Sequence, residues 1–207
     1  MKLYMGQGPN PFRVHAFLLE KGINDADLGI ERIEISFEKG EHKSPGFLKV
    51  NSLGQIPVLE LDDGTIITES MAICRYFDGL SPEVPLFGST PKEQAVIEMW
   101  QRRAENEILA NIGGIAFHSD PFFRDRVIQV PEYATAQREL MPRKLKWFDN
   151  ELSDGRPYLA GENFSVADIT GMAALMVASF FEVDVPASLE HMQRWSANIT
   201  KRPSWPF

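Results

Sequence analysis

Asn51-Ser52-Leu53-Gly54-Gln55-Ile56-Pro57-Val58-Leu59-Glu60-Leu61 runs through Asp62-Asp63-Gly64 into Thr65-Ile66-Ile67-Thr68-Glu69-Ser70-Met71-Ala72-Ile73. Pro57 stands directly before an apolar run and has no N–H to give a sheet ladder, so it belongs at a strand's first residue or on an edge. The Ile56–Pro57 bond is open to both isomers. In the cis form the chain reverses and Ile56 offers its N–H and C=O to an extended ligand; in the trans form this is an ordinary turn. Asp62-Asp63-Gly64 supplies turn chemistry between residues 58–61 and 65–68, which predicts an antiparallel hairpin. Glu69 and Ser70 then open the next helix. Its N–H groups and positive dipole end favour a carboxylate, the Ser70 hydroxyl adds a donor, and Glu69 can take an ammonium group. The competing reading is local: Ser70 caps the helix and Glu69 answers its dipole.

Residues 2–5 read as a strand, and residues 11–21 as a helix with Val14, Phe17 and Leu18 on one face and Gly22 as its stop signal. Ile33, Ile35 and Phe37 alternate as a second strand, and a helical turn falls near residues 47–50. With the hairpin and a helix over residues 70–78, the order is βαβαββα, a small α/β domain over residues 1–79. Residues 80–90 carry Ser81-Pro82, Pro85, Gly88 and Ser89-Thr90, which reads as a linker. Beyond it strand signals vanish. Residues 91–207 are predicted to be all-helical, with one long helix over 91–118, a second over 132–152 containing Pro142, and further helices over 165–181 and 189–201. Ser165-Val166-Ala167-Asp168 has capping-box spacing, with Asp replacing the usual Glu or Gln, and is read as a structural start signal. Leu189, Met192, Trp195 and Ile199 mark the inner face of the last helix.

A chain of 207 residues can bury one large core or two smaller ones. Its formal net charge of −8 and lack of a Lys/Arg stripe argue against a nucleic-acid partner, because nothing is available to neutralise phosphates. A single cysteine, Cys74, excludes an intrachain disulfide, a Cys-x-x-Cys redox pair and a multi-cysteine metal site. No metal is expected, and a reducing, cytoplasmic location fits. No charged-then-apolar leader is seen, and the most apolar run, residues 169–181, is too short to span a membrane and reads as a buried helix.

The residues from Asn51 to Leu59, followed by Glu69-Ser70-Met71-Ala72-Ile73, resemble the glutathione site of the cytosolic glutathione S-transferases. Tyr158-Leu159-Ala160-Gly161-Glu162-Asn163-Phe164-Ser165-Val166-Ala167-Asp168 resembles that family's signature at the start of its core C-terminal helix. The resemblance implies a thioredoxin-like N-terminal domain followed by an all-α C-terminal domain. It further implies glutathione as co-substrate, a small hydrophobic electrophile as its partner, and a homodimer. Gln55, Ile56, Pro57, Glu69 and Ser70 are then the residues that hold glutathione. His42 falls where theta- and delta-like members place a histidine at the tripeptide's glycine end; otherwise it is a solvated loop histidine beside Lys43.

One departure stands out. Family members usually carry Tyr, Ser or Cys in the loop after the first strand, whereas this chain reads Met5-Gly6-Gln7-Gly8-Pro9-Asn10-Pro11. The usual hydroxyl position falls on Gly8. Asn10 is the candidate catalytic residue, donating its amide N–H to the glutathione sulfur, as in similar bacterial and fungal branches. Its other reading is an N-cap ahead of Pro11. Tyr4 and Gln7 are weaker candidates. Residues 115–118, Pro121-Phe122-Phe123 and the tail Trp205-Pro206-Phe207 are readable as pocket lining or as plain packing. Conjugation is thus the expected activity, with glutathione-dependent disulfide or peroxide reduction, or non-catalytic glutathione binding, as alternatives.

Overall fold

A computed structural model describes residues 1–205; Pro206 and Phe207 lie outside the described residues. The chain divides into two compact units, Met1–Leu86 and Phe87–Trp205.

The first unit is a thioredoxin-like βαβαββα fold. Four strands, β1 (Lys2–Met5), β2 (Glu31–Glu34), β3 (Val58–Glu60) and β4 (Ile66–Thr68), form one sheet in the order β2-β1-β3-β4. β1 is parallel to β2, with Tyr4 opposite Ile33, and antiparallel to β3, with Tyr4 opposite Val58. Helices α1 (Pro9–Glu20) and α3 (Ser70–Leu80) pack on each other, while α2 (Pro45–Val50) follows a 3-10 turn at Glu41–Lys43. Alternation along β1 divides the core. Tyr4 joins Ile35, Phe47, Ile56 and Val58 in one cluster, and Leu3 and Met5, also buried, point to the opposite face. The ammonium of Lys21, fully buried, ties the unit's end to its helices by bonding Asp78 at 2.8 Å and the Val84 carbonyl at 2.6 Å.

Two expected boundaries are corrected. β2 ends at Glu34, so Ile35 and Phe37 lie beyond it, because its ladder partner β1 ends at Met5; only the Ile35 N–H reaches on, to the Met5 carbonyl at 2.8 Å. α1 begins two residues earlier than residue 11. Pro9, with its preset φ and no N–H to lose, takes the first turn, and Gly8 is the N-cap at φ 126°, a conformation that excludes other residue types in practice.

The second unit is all helical: α4 (Pro91–Arg103), α5 (Ala110–Ser119), α6 (Pro131–Glu151), α7 (Val166–Phe180) and α8 (Glu190–Ile199). α4 and α5 are not one uninterrupted α-helix, since a π-helical segment, Ala104–Leu109, joins them. The Asn111 amide explains how it is tolerated: its N–H groups bond the carbonyls of Asn106 at 2.7 Å and Glu107 at 3.0 Å, near the widened turn. α6 runs through Pro142. The core gathers Ile112, Ile115, Phe148, Leu152, Leu159 and Trp195, each essentially fully buried and worth about 1.5–3 kcal/mol of transfer free energy.

α7 starts with the predicted capping box, both halves of which are formed. Asp168 does more than cap. Its two oxygens accept from the N–H of Leu159 at 2.9 Å, the N–H and hydroxyl of Ser165 at 3.0 and 3.1 Å, and the Trp195 indole N–H at 2.9 Å. One carboxylate therefore ties the 158–165 loop, α7 and α8 together. One turn along α7, Gly171 lets Trp195 approach so closely that a Cβ there would lie 2.5 Å from the indole ring. Asp149 caps α8 from α6 in the same manner, accepting from the N–H groups of His191 at 2.9 Å and Met192 at 3.0 Å. Leu189, Met192, Trp195 and Ile199 are all buried, as the periodicity indicated.

Candidate active site

The Ile56–Pro57 bond is cis. β3 begins at Val58, so Ile56 lies beyond the last registered pair of the β1–β3 ladder. Its side chain is buried under α2, which fixes the backbone that carries it. The turn leading to it is held by a residue to which the sequence reading gave no role, Asn51. Its buried side chain donates to the Gln55 carbonyl at 2.8 Å and accepts from the Leu53 N–H at 3.2 Å, while its carbonyl accepts from the Gly54 N–H at 2.9 Å. An asparagine heading a Ser-Leu-Gly turn was the available signal, because Asx side chains bond the backbone two residues on. Gly54 has φ 62° and its missing Cβ leaves room for the His42 carbonyl and the Lys43 ammonium, which would stand 2.7 and 2.9 Å from one. Lys43 completes the junction by donating to the Leu53 carbonyl at 3.2 Å. The His42 backbone is thus brought against the Asn51–Gly54 turn. The solvated-loop alternative for His42 fails, since its ring is buried, 4.3 Å from that of Phe37. Gln55 is exposed.

At the other end of the hairpin, the helix cap is Glu69 and not Ser70. Glu69 has φ 67° and ψ 117°, and its side chain makes no capping hydrogen bond. A non-glycine residue held there costs on the order of 1–3 kcal/mol, and such strain persists where surrounding structure dictates it, most often at functional sites. The carboxylate is exposed at the helix's positive end, and Ser70 is buried at the first helical position. The reading of Ser70 as the cap is therefore corrected.

The loop after β1 and its neighbours place several of the candidates. Asn10 is not an N-cap either; it lies in the first turn of α1, exposed, and its side-chain oxygen accepts from the buried Arg13 guanidinium at 2.7 Å. With the oxygen so occupied, the amide's two N–H donors face away from that bond. Tyr4 is committed elsewhere. Its hydroxyl donates to Glu60 at 2.6 Å, and burial together with that carboxylate pushes its pKa up to about 12. Cys74 is fully buried, its thiol held well above the ordinary range by burial. Gly8 explains the missing hydroxyl: a serine or threonine would have to adopt φ 126° to cap α1.

In the second unit, Ile115 and Ala116 are core. Phe117 and Phe122 are exposed and meet Phe123 edge-on at 4.8 and 5.0 Å. Among the described residues no group of three or more His, Cys, Asp or Glu is placed to hold a metal ion, and no helix is long and apolar enough to cross a membrane.

Residues 8–80 match the family described as glutathione S-transferase, N-terminal domain, and residues 113–203 the family described as glutathione S-transferase, C-terminal domain. Glutathione S-transferase 2 of Saccharomyces cerevisiae is 40% identical over 199 residues, covering 95% of this chain and 84% of that protein. The chain belongs to the glutathione S-transferase family. Solved structures of the family agree with its fold. A glutathione S-transferase domain-containing protein from Marinobacter aquaeolei superposes with a TM-score of 0.89 at 37% identity, covering 99% of each chain. The transferase URE2P6 of Phanerochaete chrysosporium, solved with oxidised glutathione, does so with a TM-score of 0.81 at 25% identity, covering 98% of this chain and 91% of that one. Family membership gives the transferase class and glutathione as substrate; the roles of individual residues rest on their geometry here.

Proposed function

We propose that the chain conjugates glutathione to a small hydrophobic electrophile, working as a homodimer in a reducing, cytoplasmic setting. Glutathione lies as an added strand along Gln55-Ile56-Pro57, paired to the Ile56 backbone. Its γ-glutamyl head meets Glu69 through the ammonium and Ser70 and the α3 N-terminus through the carboxylate, and its glycine end lies toward His42. The observation that carries this reading is the strained, uncapped Glu69 at the start of α3, a carboxylate that its own helix does not use.

Conjugation requires the thiol as thiolate. A free cysteine thiol has a pKa of about 8.5, and lowering it by two units takes about 2.7 kcal/mol of preferential stabilisation. A helix N-terminus supplies about 0.3–1 kcal/mol and one charge-assisted hydrogen bond about 1.5–3. We assign the bond to the Asn10 amide, whose orientation Arg13 sets. The thiol proton leaves to solvent, the sulfur attacks the electrophilic carbon, an S–C bond forms and the leaving group departs with the electron pair of the broken bond. Reduction through an enzyme thiol has no support, because the chain's one cysteine is the buried Cys74.

Initial rates with an aryl halide and with a mixed glutathionyl disulfide test the assignment. Turnover of the halide is expected, with kcat/KM falling by about 10- to 100-fold in Asn10→Ala. Turnover of the disulfide alone makes the chain a reductase, and turnover of neither makes it a glutathione-binding protein.

A further inference from the structure

The Gln55–Ile56 peptide group is gripped on its carbonyl side by Asn51. That residue closes α2, its backbone N–H donating to the Phe47 carbonyl at 2.9 Å, and it is buried. Ending the helix does not require the side chain, because any residue except proline supplies that N–H. The side-chain amide goes further. Its N–H donates to the Gln55 carbonyl at 2.8 Å and its oxygen accepts from the Leu53 N–H at 3.2 Å, so both ends of a buried polar group are paired.

The consequence falls on the other side of the same plane. A trans peptide group is rigid and its C=O and N–H point in opposite directions, so fixing the Gln55 carbonyl fixes the Ile56 N–H. The Ile56 side chain is already held in the cluster of Tyr4, Ile35, Phe47 and Val58. Gly6 makes room for it: a Cβ at Gly6 would stand 2.7 Å from Ile56 Cδ1 and 2.5 Å from the Ile35 carbonyl oxygen. Gln55, by contrast, is exposed and its side chain anchors nothing in this core. The freedom left to the backbone is rotation of the 55–56 peptide plane, and the Asn51 bond opposes it. Donation to the carbonyl also polarises the amide, which makes its N–H a stronger donor.

We propose that Asn51 is the positioning residue for the middle of glutathione, aiming the Ile56 N–H at the backbone of the tripeptide's cysteine through the Gln55 carbonyl. This role rests on the reading of Gln55-Ile56-Pro57 as the strand that glutathione joins.

Calorimetric titration of glutathione at pH 8 and pH 5 tests it in the parent, Asn51→Ala, Asn51→Asp and Asp63→Ala. Asn51→Ala is expected to weaken binding about tenfold at both pH values. Asn51→Asp keeps the acceptor for Leu53 but at pH 8 sets a carboxylate against the Gln55 carbonyl, and should weaken binding by at least about tenfold. Burial favours the protonated acid, so at pH 5 its O–H can donate to that carbonyl and bring the affinity to within about threefold of the parent at the same pH. Asp63→Ala removes the acceptor of the Thr65 N–H, 2.8 Å away in the exposed hairpin turn. It destabilises the same unit and should leave the affinity within about twofold of the parent. Binding within about twofold in Asn51→Ala, a loss in Asn51→Asp that does not change with pH, or an equal loss in Asp63→Ala would each overturn the role of Asn51 and leave the glutathione reading standing. A parent that does not bind glutathione would overturn that reading and the role of Asn51 with it.

Discussion

Replacing Asp168 by alanine is expected to lower the unfolding free energy by about 4 kcal/mol, enough to reduce Tm by roughly 8–16 °C in a chain of this size. The effect comes from the partners left behind. The carboxylate is fully buried and accepts four hydrogen bonds, from Leu159, twice from Ser165 and from Trp195. Its removal strands buried donors that each cost about 1–3 kcal/mol when unpaired. Asp168→Asn retains one acceptor oxygen and should lose about half as much. The pH dependence has a definite sign. Burial raises the Asp168 carboxyl to about 6 from a reference of 3.8, against hydrogen bonds that favour the ionised form. The folded state therefore holds this proton more tightly than the unfolded chain does, so the group's contribution is fullest below the reference value and is lost as pH rises through about 6. Thermal melts of the parent and of Asp168→Asn, compared at pH 5 and pH 7.5, should show a larger gap at pH 5. A gap that widens toward neutral pH would mean that the four donors outweigh burial.

Glu69→Gln is expected to weaken glutathione binding by about 10- to 100-fold, since a hydrogen bond to a charged group is worth about 1.5–3 kcal/mol. Glu69→Gly separates this effect from folding. Glycine adopts φ 67° without strain, so that variant should keep the parent's thermal stability while losing glutathione to the same extent or more. Calorimetric titration of both variants, alongside melting curves, checks the pair of expectations. Unchanged affinity in Glu69→Gly would show that the carboxylate does not meet the ligand.

Much of the fold is legible in the chain because its signals are local and agree with one another. Pro57 before an apolar run, Asp-Asp-Gly between two short strands, and Ser165 three residues ahead of Asp168 each specify a start or a turn by backbone chemistry. What local pattern misses is set by neighbours. α1 begins at Pro9 because Gly8 adopts a conformation that no sequence period reports, and β2 stops where β1 stops offering partners. The π segment at Ala104–Leu109 lies within an unbroken helical period, and what distinguishes it is the Asn111 amide bonding carbonyls inside that segment. In the candidate site, the motif from Asn51 to Ser70 is legible as one stretch, and the structure changes the local reading of its last two residues. Ser70 was readable as the cap, yet Glu69 occupies that position, because the hairpin delivers the chain to α3 at a positive φ. His42 beside Lys43 reads equally as a loop residue until Phe37 is seen against its ring.

The proposed conjugation requires that the chain bind glutathione and ease the ionisation of its thiol without a hydroxyl or cysteine at the usual position. The direct measurement is the thiolate absorbance of bound glutathione as a function of pH, in the parent and in Asn10→Ala. A midpoint about two units below the free thiol's value of about 8.5 is expected in the parent, with a return of about one unit or more toward it in the variant. A bound thiol that ionises no more readily than free glutathione would rule out the proposed thiolate chemistry, and an equal lowering in both proteins would remove Asn10 from it.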